Sequence, residues 1–586
     1  MLDLRLYRAA FVPVLLALIV VAFSLHDRPP AIQETLSADA FDGTVATRQI
    51  ITWAHEPALA DRRPGAPGDE ALAGRVATAL RANAFAVSNR TFTGRTTEGD
   101  RTLRAVVGER TGSSNARIVV VAFRDSRRSD NGSLADSATL VELAHVLGGR
   151  TLGRTVDLVS TSGREGGAGA ADLATHLGGP VDAVLVLGDV AATTTRRPWV
   201  VPFGGGTRFA PLDLRRTVET ALRDEAGADP GAPNFFSQFA RLAFPLTLGS
   251  QGPLIAAGVP AVQLGPNGER TDGGGFSTAR MEQFGRAALR TVTALDGAPV
   301  VRPPSAYMTL KGLVLPAWTV RLLVGALLLP LLVAAIDGVA RVNRRRGRPL
   351  LWLRWVAAGI VPFLLAVLFL RVLRLTGVLD AVPPGPVGAN AIPIAGRGVS
   401  ALVGVGVVLA LGWIGLRPLL LRATGVRGRP GSAGTAGAVT AVLVAVGILT
   451  WALNPFAAAL LVPALHMCLL AVAPEVTWGR LAKLGLVTLG LVPVAVVALI
   501  YAVQFNLGPF GLLWMGALQV AGGEIGLGWS LLWAVVLGGL ASAVTVVVRT
   551  ERAAPRETAA PTSSITGPGS YAGPGSLGGT ESALRR

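Results

Sequence analysis

Two rhythms of apolar spacing divide this chain. Over residues 27–310, apolar residues come in short runs separated by polar stretches. FAVSNRTF, TLRAVVGE, ARIVVVAF, TVDLVST, VDAVLVLGD and PAVQLG read as strands, because each is a brief β-branched run closed by turn residues. Helical spacing lies between them at 70–83, 134–148, 167–177, 211–226 and 278–295. In 134–148 the apolar stripe leaves Glu142 and His145 to one side. Strands alternating with helices predict an α/β domain with a mostly parallel sheet and flanking helices.

After residue 312 the rhythm changes. Apolar stretches near 317–340, 354–373, 399–416, 435–453, 456–473, 484–504 and 526–548 are each about the 20 residues that cross a bilayer core. They predict an all-α multi-span domain over 311–549. Residues 9–25 form one more such run, headed by Arg5 and Arg8. No small-residue cleavage site follows it, so it reads as an uncleaved anchor, residues 1–26, rather than a signal peptide. The stretch 508–524 is apolar but broken by Gly522-Gly523-Glu524, and a re-entrant half-helix and an outer loop both fit it. The tail 550–586 is rich in Gly, Pro, Ser and Thr and is expected to be disordered.

Composition sharpens this division. The chain of 586 residues is 51% hydrophobic, more than a soluble protein carries. Its net charge of +17 raises nucleic acid as a partner, but the arginines cluster beside the apolar runs, which argues for no nucleic acid. The connection 341–354 carries six arginines. Arg417, Arg422, Arg427 and Arg429 follow in 417–434, and Arg480 and Lys483 in 474–484. The alternate connection 375–396 has no basic residue. The positive-inside rule then places 27–310 outside a plasma membrane and both termini in the cytoplasm. Lys311 and Lys483 are the only lysines; with the abundance of Ala, Gly and Val this suggests a GC-rich bacterial genome. The single cysteine, Cys468, excludes an intrachain disulfide.

Candidate chemistry sits at the strand ends of the outer domain. VVVAFRDS (119–126) and SDNGSLADSATLVELA (129–144) come first. LVSTSGREGGAGA (158–170), VLVLGDVA (184–191) and GSQGPLIAAGVPAV (249–262) follow in order. Together these stretches resemble the co-catalytic zinc aminopeptidase family of clan MH. That family shows A-H-x-D-S, D-N-A-S-G, D-G-E-E, N-L-D and S-D-H-x-P-F-x-x-A-G-I-P-A at the corresponding points. It includes membrane-anchored peptidases and the degenerate luminal domain of the large GPI-transamidase subunit, whose layout this chain shares. The resemblance implies an aminopeptidase-like fold and a place for two zinc ions, a bridging carboxylate and a glutamate general base.

Carried over residue by residue, the resemblance puts the first histidine ligand on Phe123. It puts the bridging aspartate on Gly132, or on Asp130 with an insertion. The general base falls on Arg164, the neighbouring ligand on Glu165, the strand-end ligand on Asp189 and the last histidine on Gln251. Phenylalanine cannot bind zinc, an amide binds it poorly, and arginine is no base near neutral pH. The expectation is a pocket of Phe123, Asp125, Asp130, Arg164, Glu165, Asp189 and Gln251 that holds no zinc or other cofactor. Arg164 is expected to pair with Glu165, Asp189 or Asp125. The glycines 166, 167 and 169 lack the spacing and the lysine of a phosphate loop.

Arg321, Asp337, His466 and Glu524 stand at or near span depth, and of these His466 and Glu524 are the functional candidates. The resulting expectation is a catalytically degenerate outer domain that binds or scaffolds at the cell envelope. Its partners would be the lipid bilayer, an envelope protein complex and a peptide or small envelope ligand. Two rival readings stand beside it: an active membrane metallopeptidase with rearranged ligands, and a transporter or lipid-handling protein with an accessory outer domain. Zinc content separates the first rival. A polar cavity around Glu524 and His466 would favour the second.

Overall fold

The computed structural model describes residues 4–32, 38–126, 131–270, 275–344, 349–379, 382–425 and 433–549. Asp130 and the tail 550–586 lie outside the described residues, as do Arg427 and Arg429.

Ten strands are described: β1 (His26–Asp27), β2 (Ala86–Thr96), β3 (Gly99–Arg110), β4 (Ser114–Phe123), β5 (Arg154–Thr161), β6 (Val181–Leu187), β7 (Val200–Val201), β8 (Ala261–Leu264), β9 (Tyr307–Leu310) and β10 (Leu313–Pro316). Seven form one sheet in the order β2-β3-β5-β4-β6-β8-β7. Its centre, β5-β4-β6-β8, is parallel, and the β2-β3 hairpin and β7 extend it antiparallel at the two edges. All eight residues of β5 are buried, as expected for a strand covered by helices on both faces. The hairpin strand β2 alternates instead, since one face meets water.

The six strands read from the sequence are all present, and the five helices fall within a few residues of their expected bounds. Helices Gly43–Ala54, Phe235–Ala243 and Gln251–Ala256 were not foreseen. The first is started by Asp42, whose side chain accepts from the Thr44 and Val45 N–H groups at 2.7 and 3.1 Å. The helix Gly132–Gly148 departs from its expected one-sided stripe. It is enclosed on nearly every face, and Glu142 is buried while His145 is exposed.

The small sheet β1-β10-β9 is antiparallel and pairs His26 with Val314. It ties the end of the first apolar helix to the start of the next, although some 290 residues of sequence separate them. Among the described residues eight helices are long and apolar enough to cross a membrane: Arg5–Phe23, Ala317–Arg344, Leu351–Leu375, Gly396–Ala423, Gly434–Leu453, Pro455–Val472, Arg480–Phe505 and Leu527–Arg549. The helix Pro509–Gly522 has 14 residues and is too short to join them.

The α/β domain meets alternate helix ends. Asn454, which caps Pro455–Val472, donates to the carbonyls of Leu242 and Ala243 at 2.9 and 3.3 Å. Tyr501 donates to the Phe244 carbonyl, and Phe244 stacks on Trp533 with ring centres 4.8 Å apart. Arg241 bonds the Gln504 amide oxygen at 2.9 Å and lies over the rings of Phe203, Tyr501 and Phe505. One apolar core runs from Phe203 and Phe209 of the α/β domain into the helical bundle, and a second lies within the α/β domain around the seven-stranded sheet.

Candidate functional site

Parallel strands deliver their C-terminal residues to one edge of a sheet, where open α/β folds place ligands. Here β4 runs out into Arg124 and Asp125, β5 into the turn Ser162–Gly167, and β6 into Asp189. The turn is tight. Gly163, Gly166 and Gly167 take φ of 83°, 81° and 69°, which side-chain-bearing residues rarely adopt. Asp189 also stands in the left-handed region, at φ 55°.

Arg164 is the centre of the cluster. Its Nη1 lies 3.8 Å from Asp136 Oδ2, with the Asp136 side chain wholly buried and the arginine side chain 13% exposed. Burial opposes its charge, but the carboxylates of Asp136, Asp189, Glu165 and Asp125 outweigh this and hold its pKa above the ordinary arginine value. Its backbone N–H donates to both oxygens of Asp125, at 3.3 and 3.1 Å. Burial, and then the Asp69 carboxylate, push Asp125 up to about 7 against the pull of Arg164 and Arg124. Asp136 also accepts the N–H groups of Asp189 and Val190, at 3.0 and 3.1 Å, and so holds the kinked strand end.

The sequence candidates did not all arrive where they were expected. Arg164, Glu165, Asp125 and Asp189 do converge electrostatically. Among the described residues the ion-pair partner within 4 Å, however, is Asp136, not the expected Glu165, Asp189 or Asp125. Position 132 supplies no carboxylate. A Cβ added to Gly132 would come within 2.7 Å of Asp189 Oδ1, so Asp189 occupies that space. The helix contributes its acid one turn later, at Asp136, on the same face. Phe123 is 1% exposed and belongs to the core beneath the site. Gln251 bonds the Phe203 carbonyl and the Thr247 hydroxyl at 2.9 and 3.0 Å, not the acidic cluster.

A second buried pair lies under the cluster and was missed in the sequence. Arg124 and Asp69 are both 0% exposed and 2.8 Å apart. Asp69 also accepts from Ser162 Oγ at 2.5 Å and from the Gly65 N–H at 2.9 Å. Arg124 further binds the Ser160 carbonyl at 2.8 Å and the Arg104 carbonyl. The pair locks the helix Pro67–Ala82 to the ends of β4 and β5.

No imidazole joins the cluster. His26, His55 and His145 are exposed, and His176 faces Asp172. His466 lies between Tyr7, 2.6 Å away, and the Leu327 carbonyl, 3.1 Å away. Among the described residues no three His, Cys, Asp or Glu side chains are grouped to hold a metal ion. His466 and Glu524 do not share a site. Glu524 stands beside Gly205 of the α/β domain, and burial pushes it up to about 7. Asp337 pairs with Arg341 one turn along its own helix, at 2.8 Å.

The mouth of the site is roofed by the connection between Leu351–Leu375 and Gly396–Ala423. A Cβ on Gly166 would run into Pro383, and one on Gly385 would overlap the Gly166 carbonyl. Val387, 1% exposed, is pinned through its carbonyl by Gln519 Nε2 at 2.6 Å. Trp514 Nε1 holds the Ile392 carbonyl at 2.7 Å. The apolar segment is thus clamped between the glycine turn and the helix Pro509–Gly522.

No protein-family profile matches the chain, and no curated relative does. Several solved structures are similar to its α/β part. Porphyromonas gingivalis glutaminyl cyclase aligns at 16% identity over 43% of this chain and 98% of its own, with a TM-score of 0.32. A leucine aminopeptidase precursor from Bacteroides thetaiotaomicron aligns at 12% over 44% and 99%, TM-score 0.35. A Zn-dependent exopeptidase from Parabacteroides distasonis aligns at 12% over 43% and 98%, TM-score 0.32.

Proposed function

We propose that the chain is a multi-pass membrane protein whose zinc-exopeptidase-like outer domain has exchanged hydrolysis for binding or scaffolding at the cell envelope. The observation that carries this reading is Arg164, a guanidinium set among Asp136, Asp189, Glu165 and Asp125 at the strand ends. Two zinc ions need carboxylates and imidazoles free to ligate them. This donor set does not suit zinc: its cation place is taken by an arginine, and no imidazole is at hand. Nor could Arg164 take a proton from water. The roof over the glycine turn supports the same reading, since a peptide end would have to displace Pro383 and its neighbours to enter.

The scaffolding role draws on the shared core, which makes the outer domain and the helical bundle one mechanical unit. Arg341, Arg344, Arg422, Arg480 and Lys483 stand at helix ends other than those that meet the α/β domain, which supports residues 27–310 facing outward and both termini inward. The test is direct. Full-length protein purified without added metal should contain well under one zinc per chain and should not hydrolyse aminoacyl substrates. Chelator-sensitive hydrolysis would overturn the reading.

A further inference from the structure

Away from the acidic cluster, the outer domain carries a cavity of about 700 Å³ whose described lining includes no carboxylate. Arg196, Arg197, Trp199, Ser277, Arg280 and Gln283 line it. The guanidinium carbons of Arg197 and Arg280 lie 5.3 and 5.4 Å from the Trp199 ring centre. Both arginines are therefore held by cation–π contact rather than neutralised by an acid. Trp199 is 3% exposed, yet its indole N–H has no hydrogen-bond partner among the described residues. Ser277 caps the 19-residue helix Thr278–Asp296, accepting the Arg280 N–H at 3.4 Å, so the positive end of that helix also faces the cavity.

Its place matters as much as its charge. Arg196 donates to the Val503 carbonyl at 2.6 Å, in the last turn of Arg480–Phe505. Arg270 reaches the Val503 and Gln504 carbonyls at 3.1 and 3.0 Å. The cavity thus sits beside the end of a helix long and apolar enough to cross a membrane, whose crossing would bring the cavity to headgroup level. We infer that this cavity binds the phosphate of an anionic phospholipid in the outer leaflet, tethering the outer domain to the membrane surface. Two guanidinia and a helix N-terminus suit a phosphate, which takes several charge-assisted hydrogen bonds at once. The inference rests on the bundle crossing a membrane but not on the loss of peptidase chemistry, so zinc content and hydrolysis leave it untouched.

The test uses the full chain in nanodiscs of phosphatidylcholine with and without phosphatidylglycerol. Phosphatidylglycerol retained per chain is counted by native mass spectrometry, and affinity is obtained by titration. The double variant Arg197→Gln/Arg280→Gln should bind phosphatidylglycerol about thirty-fold more weakly, each arginine near an anionic surface contributing about fivefold. Arg75→Gln, an exposed change on the helix Pro67–Ala82, which does not line the cavity, should bind as the parent does. Arginine-dependent binding that inorganic phosphate fully displaces would keep the site and assign it a soluble phosphate. Equal phosphatidylglycerol binding by parent and double variant would overturn the proposal. Should the double variant lose its unfolding transition, Arg197→Gln alone, at an exposed position, carries the same test with about a fivefold effect.

Discussion

Replacing Arg164 with alanine would remove the guanidinium that faces the buried Asp136 carboxylate. Asp136 has no exposed side-chain surface and faces the guanidinium at 3.8 Å, with Asp189, Glu165 and Asp125 close enough to act on the same charge. Deleting one partner of a buried pair costs about 3–5 kcal/mol. The rather long contact and the 13% exposure of Arg164 place the cost near the lower figure. About 3 kcal/mol corresponds to a Tm drop of about 6–12 °C for a domain of a few hundred residues. Partial compensation is expected from Arg164→Met combined with Asp136→Asn. The neutral amide no longer needs a cation, although its single oxygen can serve only one of the Asp189 and Val190 N–H groups well. Thermal unfolding of the full chain in detergent, followed by tryptophan fluorescence, reads all three proteins. An Arg164→Ala protein that melts with the parent would refute the claim that the arginine replaces a cation. A double variant as unstable as the single one would show that packing, not charge, sets the cost.

Asp125 should give the α/β domain an unusual acid preference. Its folded pKa of about 7 exceeds its ordinary value of 3.8, so the folded state keeps a proton that the unfolded chain has released between those values. Stability then falls as pH rises through this window, by up to about 4 kcal/mol, and levels off above it. Asp125→Asn should flatten that part of the Tm–pH profile, and parallel parent and variant profiles would count against the assignment. For topology, a reporter fused near residue 200 should be accessible from outside the cell and one after residue 560 only from inside. Finding both on one side would break the eight-span reading.

The long apolar helices and the strand runs were legible in the sequence because both depend on local spacing. A stretch such as 484–504 declares itself by composition alone, and ARIVVVAF by its β-branched run. The short elements were not legible. β7 has two residues, too few to show a period, and it exists because β8 offers an edge. β1 likewise forms only where β10 returns to meet it.

The acidic site divides in the same way. The motif order along the chain placed Arg164, Glu165 and Asp189 at strand ends, since each follows an apolar run and the short turn that closes it. Tertiary structure decided which charges meet. A linear alignment puts the helix acid at 130 or 132, but the Asp189 carboxylate already fills the space beside Gly132. The next residue on that face is Asp136, one helical turn on. The Arg124–Asp69 pair bridges 55 residues, and the roof brings Pro383 onto Gly166 across more than two hundred. Neither leaves a periodic trace, because buried charges and close-packed glycines are selected by what the fold places opposite them. Local spacing therefore determined the elements and their order, while the partners of Arg164 and the closure of its site were decided only when distant segments came into contact.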